Sequence, residues 1–442
     1  MSLKVGLISL GCPKNQVDAE IMFYKLEEAG FEIVDYIDGA DAVIVNTCAF
    51  IDDAKKEAIE NILEVAQLKK DGTVGSVLVT GCLPQRYKDE IMKEIPEVDA
   101  VLGIGANTDI SEYVRKAVSG EKISAYPPRA KLPLTGERIL TTPPYWAYLK
   151  IADGCSNACS YCTIPAIRGG YRSREMEDIL EEARGLALNG AKELVLIAQD
   201  TTGYGIDLYG SAQLPELLNR LSRIDGIEWL RLLYCYPDRI TDELLDTMAA
   251  NPKVLHYLDI PLQHIDDNLL KAMNRRGHSA EIKALIQKIR DRIPDIVLRT
   301  TFITGFPGEG EEEFENLAEF INATEFDRLG CFTFSAQEGT EAARLEDTVD
   351  EQEKINRMEL IMQDQLTITE LKNNERIGKT YRVITEGYDA YTDSYYGRTY
   401  MDAPEIDGRV NFTSSTEIND GEFTDVEVFG INGHDLLGRA IG

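Results

Sequence analysis

From Lys4 to about Ala117, short β-rich apolar runs alternate with stretches of helical period: Lys4–Leu10 with Asp18–Ala29, Ala42–Asn46 with Asp52–Leu68, and Ser76–Thr80 with Arg86–Glu94. This alternation predicts a parallel, doubly wound α/β domain over residues 1–118. Pro127, Pro128, Pro133, Pro143 and Pro144 then punctuate the chain, so residues 119–144 read as an extended linker. A second series of strands is expected near Ala147–Ile151, Glu193–Ala198, Trp229–Tyr234, Leu255–Ile260, Val297–Ile303 and Cys331–Ser335, each trailed by a helical pattern. Six such units predict a partial or complete β/α barrel over residues 145–375, ending in a charged helix around Val349–Asn374. From Thr380 the texture changes to short alternating segments rich in Tyr, Thr, Gly and Asp, predicting a small antiparallel β-barrel over residues 376–442.

With 442 residues, 43% of them apolar and 28% charged, the chain has material for two or three packed cores. Its longest apolar runs, such as Leu194–Ala198, are strand-length, far short of the ~20 residues a membrane helix needs. The N-terminus enters a strand pattern almost at once, without the layout of a signal peptide, and a soluble, cytoplasmic protein with no membrane association is expected. A net charge of -30 supplies phosphate neutralisation poorly, so nucleic acid is not favoured as a direct substrate. The same charge fits a basic macromolecular partner, and fits equally well a surface that is acidic for solubility alone. Eight cysteines are too sparse for a disulfide scaffold in a reducing compartment, so their spacing reads as metal chemistry or packing.

Cys155, Cys159 and Cys162 form Cys-x-x-x-Cys-x-x-Cys just after the first strand of the second series, at the mouth where β/α barrels keep their active sites. Soft thiolates favour zinc or iron–sulfur clusters; three in one loop ligate three irons of a cubane and leave the fourth open, whereas closed zinc sites want a fourth ligand. Cys155-Ser-Asn-Ala-Cys-Ser-Tyr-Cys162 resembles the defining loop of the radical S-adenosylmethionine (SAM) superfamily, including Tyr161 before the last cysteine. The resemblance implies a 4Fe-4S cluster whose open iron chelates SAM, and reductive cleavage of SAM to a 5'-deoxyadenosyl radical. It makes Tyr161, Gln199, Asp200, Gly305 and Gly308 candidate SAM contacts, the glycines serving equally well as simple turn formers. Arg275 and Arg276 are candidates to hold a carboxylate, or form a solvated helix end.

Cys12, Cys48 and Cys82 each end a predicted strand of the first domain, and strand ends of a parallel sheet converge on one edge, where open α/β sheets place ligands. Singly, each reads as a small buried hydrophobe; three in register read as a ligand set. Cys235 and Cys331 fall inside strand patterns and read as packing. Gly11-Cys-Pro-Lys-Asn15, Val45-Asn-Thr-Cys48 and Thr80-Gly-Cys82 resemble the N-terminal domain of the methylthiotransferase family of radical SAM enzymes, and the terminal barrel resembles its TRAM domain. That resemblance implies a second, auxiliary 4Fe-4S cluster on Cys12, Cys48 and Cys82, which delivers the sulfur of a methylthio group, and a low-potential electron donor as partner.

The family acts on adenosines of transfer RNA or on an aspartate of small-subunit ribosomal protein twelve. From Gly378 onward the chain holds twelve acidic residues, among them Asp389, Asp393, Asp402, Glu405, Asp407 and Glu417, against five basic ones, a balance suited to a basic protein rather than RNA. Tyr395–Gly408 and Gln199–Gly205 also resemble the ribosomal-protein branch, which implies attack at the β-carbon of that aspartate. Arg168, Arg172 and Arg174 are candidates to pair with its carboxylate, or face solvent. The alternatives are a transfer-RNA methylthiotransferase and a non-catalytic iron–sulfur carrier.

Overall fold

The computed structural model describes residues 2–88 and 90–441. Its N-terminal unit is a six-stranded parallel sheet of β1 (Lys4–Ser9), β2 (Glu32–Val34), β3 (Ala42–Thr47), β4 (Ser76–Gly81), β5 (Ala100–Leu102) and β6 (Ile123–Ala125), in the order β2-β1-β3-β4-β5-β6. It is flanked by α1 (Pro13–Glu28), α2 (Asp52–Lys70), α3 (Cys82–Tyr87), α4 (Glu90–Glu94) and α5 (Ile110–Val118). Val43, Val45, Val77 and Val79 pack beneath Ala58, Ile62 and Val65 of α2. Ile44 and Leu78 pack on the other face with Met22 of α1 and Val114 of α5. Cover on both faces is why β3 and β4 are buried along their whole length and read as continuous apolar runs rather than alternating ones.

One expectation needs correction here. The stretch 119–144 is more than a linker: residues 123–125 add the sixth strand, and Arg138 and Thr141 bind buried Glu20 of α1. Three residues, Ile-Ser-Ala, carry too short an apolar signal to stand out in sequence.

The central unit is an open sheet of six parallel strands in chain order, β7 (Trp146–Lys150), β10 (Glu193–Ile197), β11 (Trp229–Leu232), β12 (Val254–Gln263), β13 (Val297–Thr304) and β14 (Arg328–Thr333), which makes the barrel partial. Between β7 and β10, a short antiparallel pair, β8 (Ala152–Asp153) with β9 (Arg172–Ser173), brackets the cysteine loop and α6 (Ile164–Arg168). Leu149, Leu196, Leu232, Leu258 and Leu298 face the surrounding helices. On the opposite face Tyr148, Val195, Trp229 and Tyr257 pack with Val17 and Ile21 of α1 and with the C-terminal barrel. Cys331 lies in β14, whereas Cys235 lies beyond the end of β11 in a buried loop, where its N–H bonds the carbonyl of Asp259.

The C-terminal unit is a closed barrel of β15 (Thr380–Asp389), β16 (Ser394–Arg398), β17 (Val410–Thr413), β18 (Phe423–Asn432) and β19 (Asp435–Ala440). It is antiparallel except where β17 meets β19 in parallel, because β18 crosses to pair with β15 and β19. Its contact with the central sheet is charged. Arg398 binds Glu193 of β10 at 2.8 Å, Arg328 of β14 binds Asp402 at 2.7 Å, and the hydroxyls of Tyr257 and Tyr148 donate to Asp407 and Glu405. Half of the acids named above as docking charges are therefore committed to this interface, a role composition does not reveal.

Breaking a buried pair on one side strands the other charge, at a cost of about 3–5 kcal/mol. Arg398→Met, which leaves Glu193 with Arg231 alone, should lower the thermal midpoint and expose the junction near residue 376 to limited proteolysis.

Candidate active site

Strands β1, β3 and β4 are neighbours, and Ser9, Asn46 and Thr80 pair in one row across them. Cys12, Cys48 and Cys82 follow that row by two or three residues and leave the same sheet edge, at the point where the strand order reverses. Gly11 and Gly81, both at φ +98°, make the approach possible: a Cβ on Gly11 would stand 2.6 Å from the Cβ of Cys48, and one on Gly81 would stand 2.5 Å from the carbonyl oxygen of Thr47. Burial drives the Cys82 thiol up to about 12, against the pull of Arg168. It raises Cys48 as well, with Cys12 adding to the effect. Metal binding at this edge must therefore expel protons.

The second triad sits on the loop between β8 and α6, with Ala158 in the left-handed region at φ 54°. Cys155 N–H bonds Gly169, Ser160 N–H bonds Met273, and Asn157 donates to Asp200 at 2.8 Å, so the loop is tied both to its own return and to the sheet mouth. Burial pushes the Cys162 thiol up to about 12 and raises that of Cys155. Arg275 stacks on Tyr236 and brings a guanidinium nitrogen to 4.0 Å from the Cys159 sulfur.

Four buried charges join the two triads. Arg168 of α6 reaches Asp18 of α1 and Asp153 of β8, each at 2.8 Å, while Lys150 of β7 binds the same two carboxylates. All four side chains are at most 1% exposed. The terminal nitrogen of Arg168 that meets Asp18 also reaches Oδ1 of Asn15 at 3.5 Å and the sulfur of Cys82 at 4.0 Å.

The arginines named as candidate carboxylate holders each have partners within the protein. Arg168 is spent on the tetrad, Arg174 on Glu182 and the carbonyl of Lys150, and Arg172 on the carbonyl of Ala130. Arg275 also donates to the carbonyl of Pro261, and Arg276 pairs with Asp238 at the surface. Of the candidate SAM contacts, Asp200 is saturated by Asn157, Arg239, Thr202 and Gly203. Tyr161 packs with Leu269, Met273, Phe306 and Phe334. Gly305 faces Lys354 and donates its N–H to Glu309, while Gly308 bonds Thr348. Gln199 differs: both its amide atoms are shielded from solvent and have no partner among the described residues.

The donor chemistry fits the expected groups. Each triad offers three thiols, and among the described residues no three His, Cys, Asp or Glu side chains converge on a single metal ion. The Gln199 amide lies beyond the end of β10, beside the central loop, as a shielded polar group without a partner among the described residues.

The sequence matches Uncharacterized protein family UPF0004 over residues 4–103, the Radical SAM superfamily over 149–321 and the TRAM domain over 377–441. Ribosomal protein uS12 methylthiotransferase RimO of Lachnoclostridium phytofermentans is 47% identical, covering 99% of this chain and 100% of the relative. The protein of the same name from Acetivibrio thermocellus is 49% identical, covering 100% and 99%. The chain belongs to the RimO family. Among solved structures, the radical SAM methyltransferase TsrM from Kitasatospora setae, with cobalamin and a [4Fe-4S] cluster bound, covers 75% of each chain with a TM-score of 0.57 at 17% identity, a likeness of fold.

As a member of the RimO family the chain is an enzyme of the radical SAM methylthiotransferase type, and its central domain is one that works with an iron–sulfur cluster and SAM. Asp18, Lys150 and Asp153 carry no motif in the sequence, and Asp18 lies far from the other two in the chain; nor does the sequence show Asn157 as the tie of the cysteine loop. Asp200→Ala frees Asn157 and strands Arg239. After anaerobic reconstitution this variant should hold less iron than the wild type, read as lost charge-transfer absorbance, while circular dichroism shows the fold intact.

Proposed function

We propose that the chain methylthiolates the β-carbon of an aspartate in ribosomal protein uS12, with one 4Fe-4S cluster on Cys155, Cys159 and Cys162 and a second on Cys12, Cys48 and Cys82. The observation that carries this reading is the pair of three-thiol sets joined through one buried arginine, Arg168, which follows the central loop and reaches Cys82. When bound, the reduced central cluster and SAM supply hydrogen abstraction from an unactivated carbon, and the auxiliary cluster supplies the sulfur. The chain's own part is placement. The tetrad holds the two loops in fixed relation, Asp200 and Asn157 orient the central loop, and Gln199 offers its amide to SAM, with Tyr161, Gly305 and Gly308 as the further candidate contacts.

Relatives of equal length carry the uS12 methylthiotransferase name. Asp393, Glu417, Asp420, Glu422 and Asp425 remain exposed on the C-terminal barrel and suit a basic protein by charge complementarity. The radical step also requires a low-potential electron donor. No helix among the described residues is long and apolar enough to cross a membrane.

Reduced, reconstituted enzyme incubated anaerobically with SAM and uS12 should add one methylthio group to a single aspartate, read by mass spectrometry. Replacing Cys12, Cys48 and Cys82 together by Ala should reduce the iron from about eight to about four per chain, abolish methylthiolation and leave 5'-deoxyadenosine formation. Unmodified uS12 alongside 5'-deoxyadenosine would overturn the substrate and send the search to transfer RNA; no 5'-deoxyadenosine at all would favour a carrier.

A further inference from the structure

Lys14 follows Cys12 by two residues, on the first turn of α1, and only 5% of it is exposed. Among the described residues its ammonium meets no carboxylate and no hydrogen-bond acceptor; its partner is the ring of Tyr234, whose centroid lies 3.1 Å from Nζ. The nearest carboxylate along the helix, Asp18, is already matched by Lys150 and Arg168. A ring face returns only part of the hydration an ammonium gives up, and this cation has no carboxylate partner among the described residues.

Tyr234 belongs to the other side of the site. It lies just beyond β11 with φ 61°, a costly backbone state for a bulky residue that persists only where its surroundings impose it. Its N–H donates to Asp259 at 2.9 Å and its carbonyl accepts from the Thr201 N–H at 2.9 Å. On the neighbouring strand, β10, the chain runs on to Gln199 and its unpartnered amide. An ammonium without a carboxylate partner among the described residues thus stands between the domain of one thiol triad and the sheet mouth of the other.

We infer that Lys14 is the cation that receives the carboxylate of the substrate aspartate, with Tyr234 holding its ammonium at the mouth. This rests on the aspartate reading above. The geometry selects an anionic side chain, and an asparagine in its place would leave the ammonium unpaired.

The test is anaerobic binding of reconstituted full-length enzyme to uS12 and to uS12 whose target aspartate is replaced by asparagine. Wild type should prefer the aspartate form by about 10- to 100-fold, the range of one hydrogen bond to a charged group. Lys14→Met, checked to carry both cluster signals by electron paramagnetic resonance, should bind the two forms alike, and Lys14→Arg should keep a preference. Undiminished discrimination by Lys14→Met, or its loss in Lys14→Arg, would overturn the inference even where wild type methylthiolates uS12. If wild type leaves uS12 unmodified, the parent reading fails and takes the inference with it.

Discussion

Two carboxylates and two cations, Asp18, Asp153, Lys150 and Arg168, share one dry pocket, and the relation between the two thiol triads depends on them. Asp18 lies six residues after Cys12, Asp153 two before Cys155 and Arg168 six after Cys162, so each loop has a charge of its own in the pocket. Buried ion pairs add little net stability compared with apolar packing, but removing any one member leaves an unmatched charge in a medium of low dielectric. The tetrad therefore acts less as glue than as a register, tolerating one arrangement of the N-terminal domain against the core and penalising others.

The same principle recurs where the C-terminal barrel meets the sheet. Glu193 and Arg231, two residues apart in register on adjacent strands, pair on the face away from the helices and would leave one carboxylate oxygen of Glu193 unanswered in an independent barrel. Arg398 completes the set, and Asp402 and Asp407 answer Arg328 and Arg299. The strongly acidic composition thus divides into two populations. One is consumed in joining domains; the other, on the outer surface of the barrel, remains in water and is free to meet a basic partner.

Much of the architecture is legible in the sequence. Parallel strands buried on both faces read as unbroken apolar runs, and so β3, β4 and the central strands stood out, while a three-residue edge strand such as β6 did not. The central cysteines were legible because all three sit on one short loop, where spacing along the chain is nearly spacing in space. Cys12, Cys48 and Cys82 were legible only through topology, since strands of a parallel sheet deliver their ends to one edge.

The sequence by itself determined the longer elements, the order of the domains and where the six cysteines stand relative to the strands, because periodicity and short-range spacing are local properties that survive without a fold. Only the tertiary structure decided what the charges do. It spent Arg168 and Arg174 internally, saturated Asp200, turned Asp402 and Asp407 into interface partners, and set Lys14 against the ring of Tyr234 with no carboxylate partner among the described residues. The physical reason is range: an ion pair needs its partner within a few ångströms and excluded from water, and residues such as Asp18 and Arg168 meet that condition only after 150 residues of chain have folded between them.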